Sequence, residues 1–241
     1  MKCVVCGSDS LSTWDKVRDL AARVVELKNC VECGAIINLG AYEALKSHSP
    51  QDLQKTDYYM PSDEEIASAP KKVEECASYF NYLSSVLPLK REWVFCDFGA
   101  GRGYVALYAS KLFRKSIACE WDARPIDAVK AGLPIVPENF ETAEDIDAVK
   151  DKIGLLFMWH SLEHLPEPTE FWASRKNLLE DEAVIFLQIP LFRPAHVVDC
   201  HYVFWTERSL TKWAASIDAV PLAFGYDADL GFLGMVAQRR V

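Results

Sequence analysis

The chain has 241 residues, of which 50% are hydrophobic, with a formal net charge of −9 and an isoelectric point near 5.1. This acidic balance disfavours proteins that follow the phosphates of nucleic acids or an anionic membrane surface, because both tasks need a basic face. No window approaches the ~20 uninterrupted apolar residues of a membrane span, and the first residues form no apolar signal segment. We therefore expect a cytoplasmic protein without a nucleic-acid or membrane partner.

Two Cys-x-x-Cys-Gly segments lie near the N-terminus. They supply the pairs Cys3 with Cys6 and Cys30 with Cys33. Each pair presents two thiolates from one tight turn, and two pairs complete a tetrahedral set that suits Zn²⁺. Two disulfides, which a reducing compartment disfavours, or a thioredoxin-like redox site are the alternatives. Because four cysteines leave no open coordination position, we expect a structural zinc ion in a ribbon module over residues 1–45.

Residues 46–90 are expected to form a connecting segment made mainly of helices. Ser62 and Glu65 have the spacing of a capping box that opens a helix. Apolar residues at helical spacing continue over 73–87. Pro70 divides the stretch into two helices, because proline lacks the backbone N–H that a helix interior requires.

Residues 93–103 predict a strand, a tight turn and the start of a helix. The apolar run ends at Asp97, and three alternating glycines follow: Gly99, Gly101 and Gly103. These glycines allow a sharp turn and let a ligand approach the backbone N–H groups, so a nucleotide-like ligand fits the loop. A dinucleotide fingerprint would need Gly or Ala where Tyr104 stands, and no Gly-Lys-Ser/Thr ending marks a phosphate-binding P-loop.

Two later segments accompany this loop. Residues 116–120 predict the next strand, which ends at Glu120, and an acid there can accept both hydroxyls of a ribose. Asp122 takes that place if the strand ends later. Ile153–Trp159 predicts a buried strand that runs into a polar turn over residues 160–164.

The remaining elements alternate between helices and strands. Helices are predicted over 123–132, 142–152, 167–179 and 207–217. Strands are predicted over 133–136 and 183–190, and a closing pair over 221–226 and 232–238.

The order Asp-x-Gly-x-Gly-x-Gly, the acid after the second strand and the polar turn after Trp159 resemble class I S-adenosylmethionine (SAM)-dependent methyltransferases. The turn is similar to that of the branch containing ubiquinone-type O-methyltransferases and deoxysugar C-methyltransferases, and certain of the latter carry an N-terminal four-cysteine zinc module. The resemblance covers residues 58–241. It implies an α/β fold with a Rossmann-like seven-stranded sheet, helices on both faces and an antiparallel last hairpin. The methyltransferase domain would span residues 91–241, after the small zinc ribbon.

The same resemblance implies SAM as the cofactor. Residues 137–140 would face the adenine, with Asn139 reading its amino group and Phe140 lying against the ring. The implied cofactor-binding residues are Asp97, Gly99, Ala100, Gly101, Gly103, Glu120, Trp121, Asn139, Phe140 and His160.

Histidines supply the candidates for catalysis, because imidazole accepts a proton near neutral pH. His160 and His164 follow one predicted strand, and His196 and His201 follow another. His201 begins the sequence His-Tyr-Val-Phe-Trp, which resembles the segment of sugar C-methyltransferases whose histidine is the general base. Those enzymes usually have an acid immediately before it, and Cys200 departs from that pattern.

The resemblance implies two further catalytic candidates. His164 would shape the pocket floor, and an aromatic residue of the connecting segment, Tyr58 or Tyr59, would close over the cofactor and substrate. The expected activity is SAM-dependent methylation of a small molecule, such as a sugar nucleotide, with His201 as base.

Two alternatives stay open at this point. In ubiquinone-type O-methyltransferases, a Glu-x-x-Glu-His motif at the position of His160, Glu163 and His164 binds a divalent metal that orients a catechol. If the turn is helical, these three residues share one face and can converge on an ion. The other alternative is a non-catalytic SAM-binding scaffold whose ribbon engages a partner. The oligomeric state is open.

Overall fold

The structure, a computed structural model, describes residues 1–19, 21–53 and 60–240. Eleven strands lie in these ranges: Leu11–Arg18 (β1), Val24–Cys30 (β2), Ile36–Asn38 (β3), Val94–Phe98 (β4), Lys115–Cys119 (β5), Phe140–Ala143 (β6), Ile153–Trp159 (β7), Leu179–Pro190 (β8), Val203–Phe204 (β9), Ala219–Asp227 (β10) and Phe232–Arg239 (β11). Nine α-helices lie in the same ranges: Leu39–Ala44 (α1), Pro50–Leu53 (α2), Asp63–Ala67 (α3), Ala69–Glu75 (α4), Ala77–Val86 (α5), Tyr104–Ala109 (α6), Arg124–Ala131 (α7), Pro168–Arg175 (α8) and Glu207–Ser216 (α9). None of these helices combines the length and the apolar character needed to cross a membrane.

The strands form two sheets. The larger sheet has seven strands in the order β10-β11-β8-β7-β4-β5-β6. Its β4 is parallel to both β5 and β7, β5 is parallel to β6, and β10 is antiparallel to β11. The smaller sheet has the order β1-β2-β3-β9, with antiparallel neighbours. The seven-stranded sheet and its antiparallel last hairpin confirm the predicted fold class.

The chain divides into two compact units. The first contains the described residues among 1–55, 160–176 and 187–241, and the second contains those among 56–159 and 177–186. The glycine loop lies in the second unit, and the N-terminal cysteines and the candidate base His201 lie in the first.

The strands β4 and β7 of the second unit are buried over almost their whole length, so they read as nearly continuous apolar runs. The aromatic rings of Phe80, Phe95 and Phe113 pack in this core, with ring centroids 5.6 to 5.9 Å apart. Such pairs contribute about 0.5–1.5 kcal/mol beyond simple burial. Gly154 in β7 makes room for Trp93, because a Cβ at this position would lie 2.3 Å from the indole ring.

The first unit joins the N-terminal module to a later part of the chain through the smaller sheet. Ile36 of β3 pairs with Phe204 of β9. Trp205 and Trp213 lie almost completely buried with their ring centroids 6.5 Å apart. The N-terminal 45 residues therefore share a core with the segment that follows His201.

The predicted helix starts before the glycine loop are confirmed. The Ser62 side chain accepts a hydrogen bond from the Glu65 N–H, and the Glu65 side chain bonds back to Ser62, which completes the capping box of α3. Pro70 lies in the first turn of α4, where its missing N–H costs nothing.

The segment after α7 differs from the prediction. The strand expected over 133–136 is irregular, and β6 lies at Phe140–Ala143 instead. Pro134 and Pro137 cannot donate to a sheet ladder, and the Ile135 side chain is 80% exposed. The helix expected over 142–152 is reduced to a single 3₁₀ turn at Ile146–Ala148, because the residues before it belong to β6.

Candidate functional site

The glycine loop begins where β4 ends, at Phe98. Gly99, Gly101 and Gly103 have φ angles of 75°, 54° and 74°, a left-handed conformation that residues with a Cβ rarely adopt. A Cβ on Gly103 would also lie 3.3 Å from the side chain of Ile126. The backbone of the loop therefore requires the glycines that the sequence places there.

Hydrogen bonds to the neighbouring strand fix the path of the loop. The backbone N–H groups of Gly99 and Ala100 donate to the Cys119 carbonyl at 2.9 and 3.1 Å. The N–H of Gly101 donates to Glu120 Oε2 at 2.8 Å. Because β4 and β5 are parallel neighbours, the end of β5 and its acid hold the loop at the carboxyl edge of the sheet.

Two carboxyl groups lie at this edge. Asp97, the fourth residue of β4, is 2% exposed. Burial, reinforced by the nearby charge of Glu120, raises the pKa of Asp97 to about 8. Burial also raises the pKa of Glu120, although the N–H of Gly101 opposes the change. Such a pair favours a ligand that carries positive charge or donates hydrogen bonds.

The residues after Glu120 have different environments. Trp121 is 38% exposed. The Arg124 guanidinium lies 2.7 Å from Asp122 Oδ2, and this hydrogen bond lowers the pKa of Asp122. Because Asp122 is engaged by Arg124 while Glu120 bonds to the loop, Glu120 is the better ribose candidate of the two.

Asn139 and Phe140, expected to face the adenine, have structural roles. Asn139 Nδ2 donates to the carbonyl oxygens of Ser110 and Phe113 at 2.9 and 3.0 Å. Phe140 is the first residue of β6 and is buried. The expectation placed the loop too early, because it assigned the strand to 133–136.

The carboxyl end of β6 is Ala143, so the loop that leaves this edge of the sheet begins after Ala143 and not at 137–140. The Glu120 N–H donates to the Ala143 carbonyl at 2.9 Å, which ties the two strand ends together. Glu144 and Asp145 follow directly. Asp145 lies close enough to β5 that its charge contributes to the raised pKa of Cys119, after burial and Glu120. In the sequence, this position is marked by two acids that directly follow the short strand Phe-Glu-Thr-Ala.

A charged network absent from the sequence prediction ties the glycine loop to α3. Arg102 Nη1 and Lys72 Nζ lie 2.7 and 3.0 Å from the same oxygen, Glu65 Oε1. The backbone bond from Ser62, followed by Lys72, lowers the pKa of Glu65 to about 2. The buried hydroxyl of Tyr104 has no hydrogen-bond partner among the described residues.

These groups fit the cofactor that the resemblance implies. A ribose offers two hydroxyl donors, and SAM carries a sulfonium and an ammonium group, so two acids at the loop suit it. Tyr104 is a further polar group at the loop with a hydroxyl to satisfy. Tyr58 and Tyr59, expected to close over the cofactor, lie outside the described residues.

The turn after β7 belongs to the first unit and begins at His160. This residue has a φ of 54°, and its N–H donates to the Gln188 carbonyl at 2.9 Å. Its Nδ1 lies 3.6 Å from Glu163 Oε1. The Glu163 side chain is fully buried, and neither carboxylate oxygen has a hydrogen-bond partner among the described residues.

Two imidazoles lie next to this turn with defined orientations. His164 Nδ1 lies 2.8 Å from the Cys200 carbonyl, and His201 Nδ1 lies 2.8 Å from the His196 carbonyl. Because a carbonyl only accepts, we assign the hydrogen to Nδ1 in both rings, which leaves each Nε2 with a free lone pair. Burial lowers the pKa of His201 to about 4, so its ring is neutral at pH 7.

Cys200 completes a compact group with these rings. One ring nitrogen of His164, one of His201 and Cys200 Sγ all lie within 4.8 Å of one another. Among the described residues, a group of this kind joins His164 to Cys200 and His201, and not to His160 and Glu163. The metal-assisted alternative needs the latter set to converge, so we do not adopt it.

Asn38 anchors the loop that carries His201, a role that the sequence did not reveal. Its Nδ2 donates to the carbonyls of Val198 and His201, both at 3.0 Å. Its Oδ1 accepts from the Gly40 N–H at 3.0 Å and so caps α1. One buried side chain from the N-terminal module thus positions the candidate base.

The four N-terminal cysteines converge as expected. Their Sγ atoms lie within 4.8 Å of one another, and three of the four residues are buried. Cys3 Sγ lies 3.6 Å from Cys33 Sγ, and Cys6 Sγ lies 3.5 Å from Cys30 Sγ, so these pairs are not disulfides. A tetrahedral thiolate set of this kind fits Zn²⁺.

Comparisons with known proteins agree with this geometry. Residues 68–219, more than half of the chain, match a family model described as a methyltransferase domain. No curated protein matches the chain.

Solved structures share the fold at low sequence identity. A complex between the Haloferax volcanii Trm112 methyltransferase activator and a methyltransferase aligns with a TM-score of 0.57 at 10% identity, over 74% of this chain and 96% of that one. CalS10, an amino pentose methyltransferase from Micromonospora echinaspora solved with SAM, gives 0.53 at 13% identity, over 70% and 91%. A SAM-dependent methyltransferase of Clostridium acetobutylicum gives 0.51 at 10% identity, over 71% and 92%.

Proposed function

The chain belongs to the methyltransferase-domain family and is a SAM-dependent methyltransferase, and we propose that it methylates a small molecule, such as a sugar nucleotide, with His201 as the general base. The observation that carries the cofactor assignment is the loop geometry. Three left-handed glycines pass between Asp97 and Glu120, and the Glu120 carboxylate bonds directly to the loop.

Two acids at the loop, Glu120 and Asp97, are proposed to bind the cofactor. The Glu120 carboxylate, which accepts the N–H of Gly101 and further backbone N–H groups, is proposed to accept the ribose hydroxyls. A cationic ligand would favour the ionised form of Asp97, so cofactor binding is expected to lower the raised pKa of this side chain. Bound SAM supplies an electrophilic methyl group. The protein must hold the acceptor in line with that group and, for a hydroxyl or carbon acid, remove a proton.

His201 is the proposed proton acceptor. Its Nδ1–H is held by the His196 carbonyl, so Nε2 is the atom that takes the proton. Asn38 fixes the backbone carbonyl of the same residue. A base whose tautomer and backbone are both fixed needs no reorganisation before the proton moves. His164 and Tyr59 are proposed as further catalytic residues on the resemblance.

The Cys3, Cys6, Cys30 and Cys33 set is proposed to hold a structural zinc ion. All four positions of a tetrahedral ion would be filled by protein sulfur, which leaves none for a substrate. The ribbon shares a sheet with β9 through the pairing of Ile36 with Phe204. Zinc would therefore stabilise the segment that follows His201.

Calorimetric titration with S-adenosylhomocysteine tests the cofactor site. Zinc-loaded wild type should bind, and Asp97→Ala should lose the binding. Unchanged affinity in the variant would contradict the assignment of Asp97. The matched control is Asp181→Ala, an exposed acid in the same unit.

Conversion of SAM to S-adenosylhomocysteine, measured against a panel of sugar nucleotides and phenols, tests the acceptor and the base. His201→Ala should abolish turnover while leaving S-adenosylhomocysteine affinity nearly intact, and exposed His48→Ala is the control. Full turnover in His201→Ala would overturn the base assignment. Cofactor binding with no turnover on any acceptor would favour the scaffold alternative.

A further inference from the structure

A group of soft metal ligands lies apart from the four-cysteine set. One ring nitrogen of His164, one of His201 and Cys200 Sγ all lie within 4.8 Å of one another, and each of the three residues is half-buried. Imidazole nitrogen and thiolate sulfur are the ligands that Zn²⁺ and Co²⁺ prefer, whereas Mg²⁺ and Ca²⁺ prefer oxygen. The chemistry of the group therefore favours a transition metal.

The two imidazoles already have a tautomer that suits metal binding through Nε2. Each donates its Nδ1–H to a backbone carbonyl, that of Cys200 for His164 and that of His196 for His201. A metal-bound histidine almost always makes such a bond with its second nitrogen, because the bond fixes the tautomer and points the lone pair at the ion.

A second, independent observation is the carboxylate beside the group. Glu163 is fully buried, with Oε1 3.6 Å from His160 Nδ1, and neither of its oxygens has a hydrogen-bond partner among the described residues. Glu163 directly precedes His164, and its backbone carbonyl accepts the N–H of Tyr202, the neighbour of His201, at 2.9 Å, so it lies beside the group. A buried carboxylate is costly unless a positive charge is near, and a divalent ion held by the three ligands would supply that charge.

We propose that His164, Cys200 and His201 form a second metal site that takes a divalent transition-metal ion such as Zn²⁺, with Glu163 compensating its charge. On binding, the Cys200 thiol releases one proton and its sulfur joins the metal, while each imidazole contributes a lone pair, so no electron is transferred. Three protein ligands leave the fourth tetrahedral position for water or a ligand. The ion would bind the lone pair of His201 Nε2, which is the atom proposed to accept the substrate proton. Metal binding and proton transfer at His201 would therefore exclude each other.

Cobalt titration of the zinc-loaded full chain tests the site. Zinc fills the four-cysteine set first, and added Co²⁺ then reports a new site through its visible spectrum and its thiolate charge-transfer band. Wild type should bind one further Co²⁺ per chain, with the charge-transfer band. Cys200→Ser should lose the band, and His164→Gln should weaken binding about tenfold or more.

A control at an unrelated cysteine shows whether the loss of the charge-transfer band is specific to Cys200. Cys76→Ser removes a buried thiol that donates only to the Lys72 carbonyl, a bond that serine keeps, and it should leave the titration unchanged. A circular dichroism melt of each variant establishes that it is folded. The proposal is overturned if the wild type binds no further Co²⁺, or if the band persists in both Cys200→Ser and His164→Gln. Because binding alone is measured, either result is independent of the methyltransferase activity.

Discussion

The carboxylate of Glu120 is bonded to the backbone of Gly101, with Oε2 accepting the N–H at 2.8 Å. The acid at the end of one strand thus holds the glycine loop that leaves the neighbouring strand. Its Coulombic effect on Asp97 is repulsive and contributes to the raised pKa there. One side chain therefore holds the loop and adds to the effect of burial, which is the main cause of the raised pKa of Asp97.

Glu120→Gln should weaken S-adenosylhomocysteine binding about tenfold or more, since one charge-assisted hydrogen bond corresponds to about 1.5–3 kcal/mol. Glutamine keeps the size of the side chain but loses the negative charge that favours the ribose hydroxyls. Calorimetry on both proteins measures the difference. Glu92→Gln, an exposed acid of the same unit, is the control. Equal affinities of Glu120→Gln and wild type would rule out a contact between this carboxylate and the cofactor.

Asp97 should make stability depend on pH. Its pKa is raised from 3.8 in the unfolded chain to about 8 in the folded protein, so the folded state binds the proton more tightly. The resulting stabilisation is fully present below pH 3.8 and is lost as the pH rises through 8. The free energy of unfolding should fall by a few kcal/mol over this window on account of Asp97.

Asp97→Asn cannot lose a proton, so it tests this prediction directly. Its melting temperature should exceed that of the wild type at pH 9 and approach it at pH 5. Thermal melts of the ligand-free proteins from pH 5 to 9 give the comparison. Parallel curves for the two proteins would show that Asp97 is already ionised at pH 5.

Much of the second unit could be predicted from its sequence, because β4 and β7 are nearly continuous apolar runs and the loop after β4 is marked by glycines. Ile153–Trp159 is confirmed residue for residue. The strand predicted over 133–136 is wrong, and its sequence explains why. Three of the four residues in Leu-Pro-Ile-Val are typical of strands, but Pro134 within the run and Pro137 after it cannot donate to the ladder. The short run at Phe140 pairs with β5 instead.

Long-range contacts could not be predicted from the sequence. Arg102 meets Glu65 across 37 positions, and Asn38 meets His201 across 163. No local pattern encodes such pairs, because only the tertiary fold brings the residues together. The sequence likewise identified the histidines near strand ends, whereas only the three-dimensional structure shows that His164 lies beside Cys200.

The bond between Arg102 and Glu65 should support cofactor binding by holding the glycine loop against α3. Arg102→Ala and Glu65→Gln should each weaken S-adenosylhomocysteine binding a few-fold, and the double variant should be no weaker than the worse single variant. Calorimetry on all four proteins gives the coupling. Fully additive losses would mean that the two side chains act separately. Glu64→Gln, an exposed neighbour on α3, controls for the loss of an acid.

Asn38→Ala should destabilise the first unit by about 2–3 kcal/mol, because it removes the donor to two partly buried carbonyls and the cap of α1. The same change should lower turnover more than cofactor affinity, since the backbone of His201 loses one of its anchors. Chemical denaturation and steady-state kinetics measure the two effects. Asn177→Ala replaces an exposed asparagine and is the control. Unchanged stability would mean that water replaces the lost bonds.

Removal of zinc should unfold the N-terminal module, because its four buried or half-buried thiols would lose the ion that joins their two turns. Cys33→Ser should therefore bind no zinc at this site and melt at a lower temperature than the wild type. Metal analysis and thermal melts measure both effects. Cys119→Ser, at a buried cysteine outside the set, should keep the zinc. Since β3 of the module pairs with β9, the loss should extend to the His201 segment and lower turnover. Full turnover in zinc-free protein would show that the ribbon is independent of that segment.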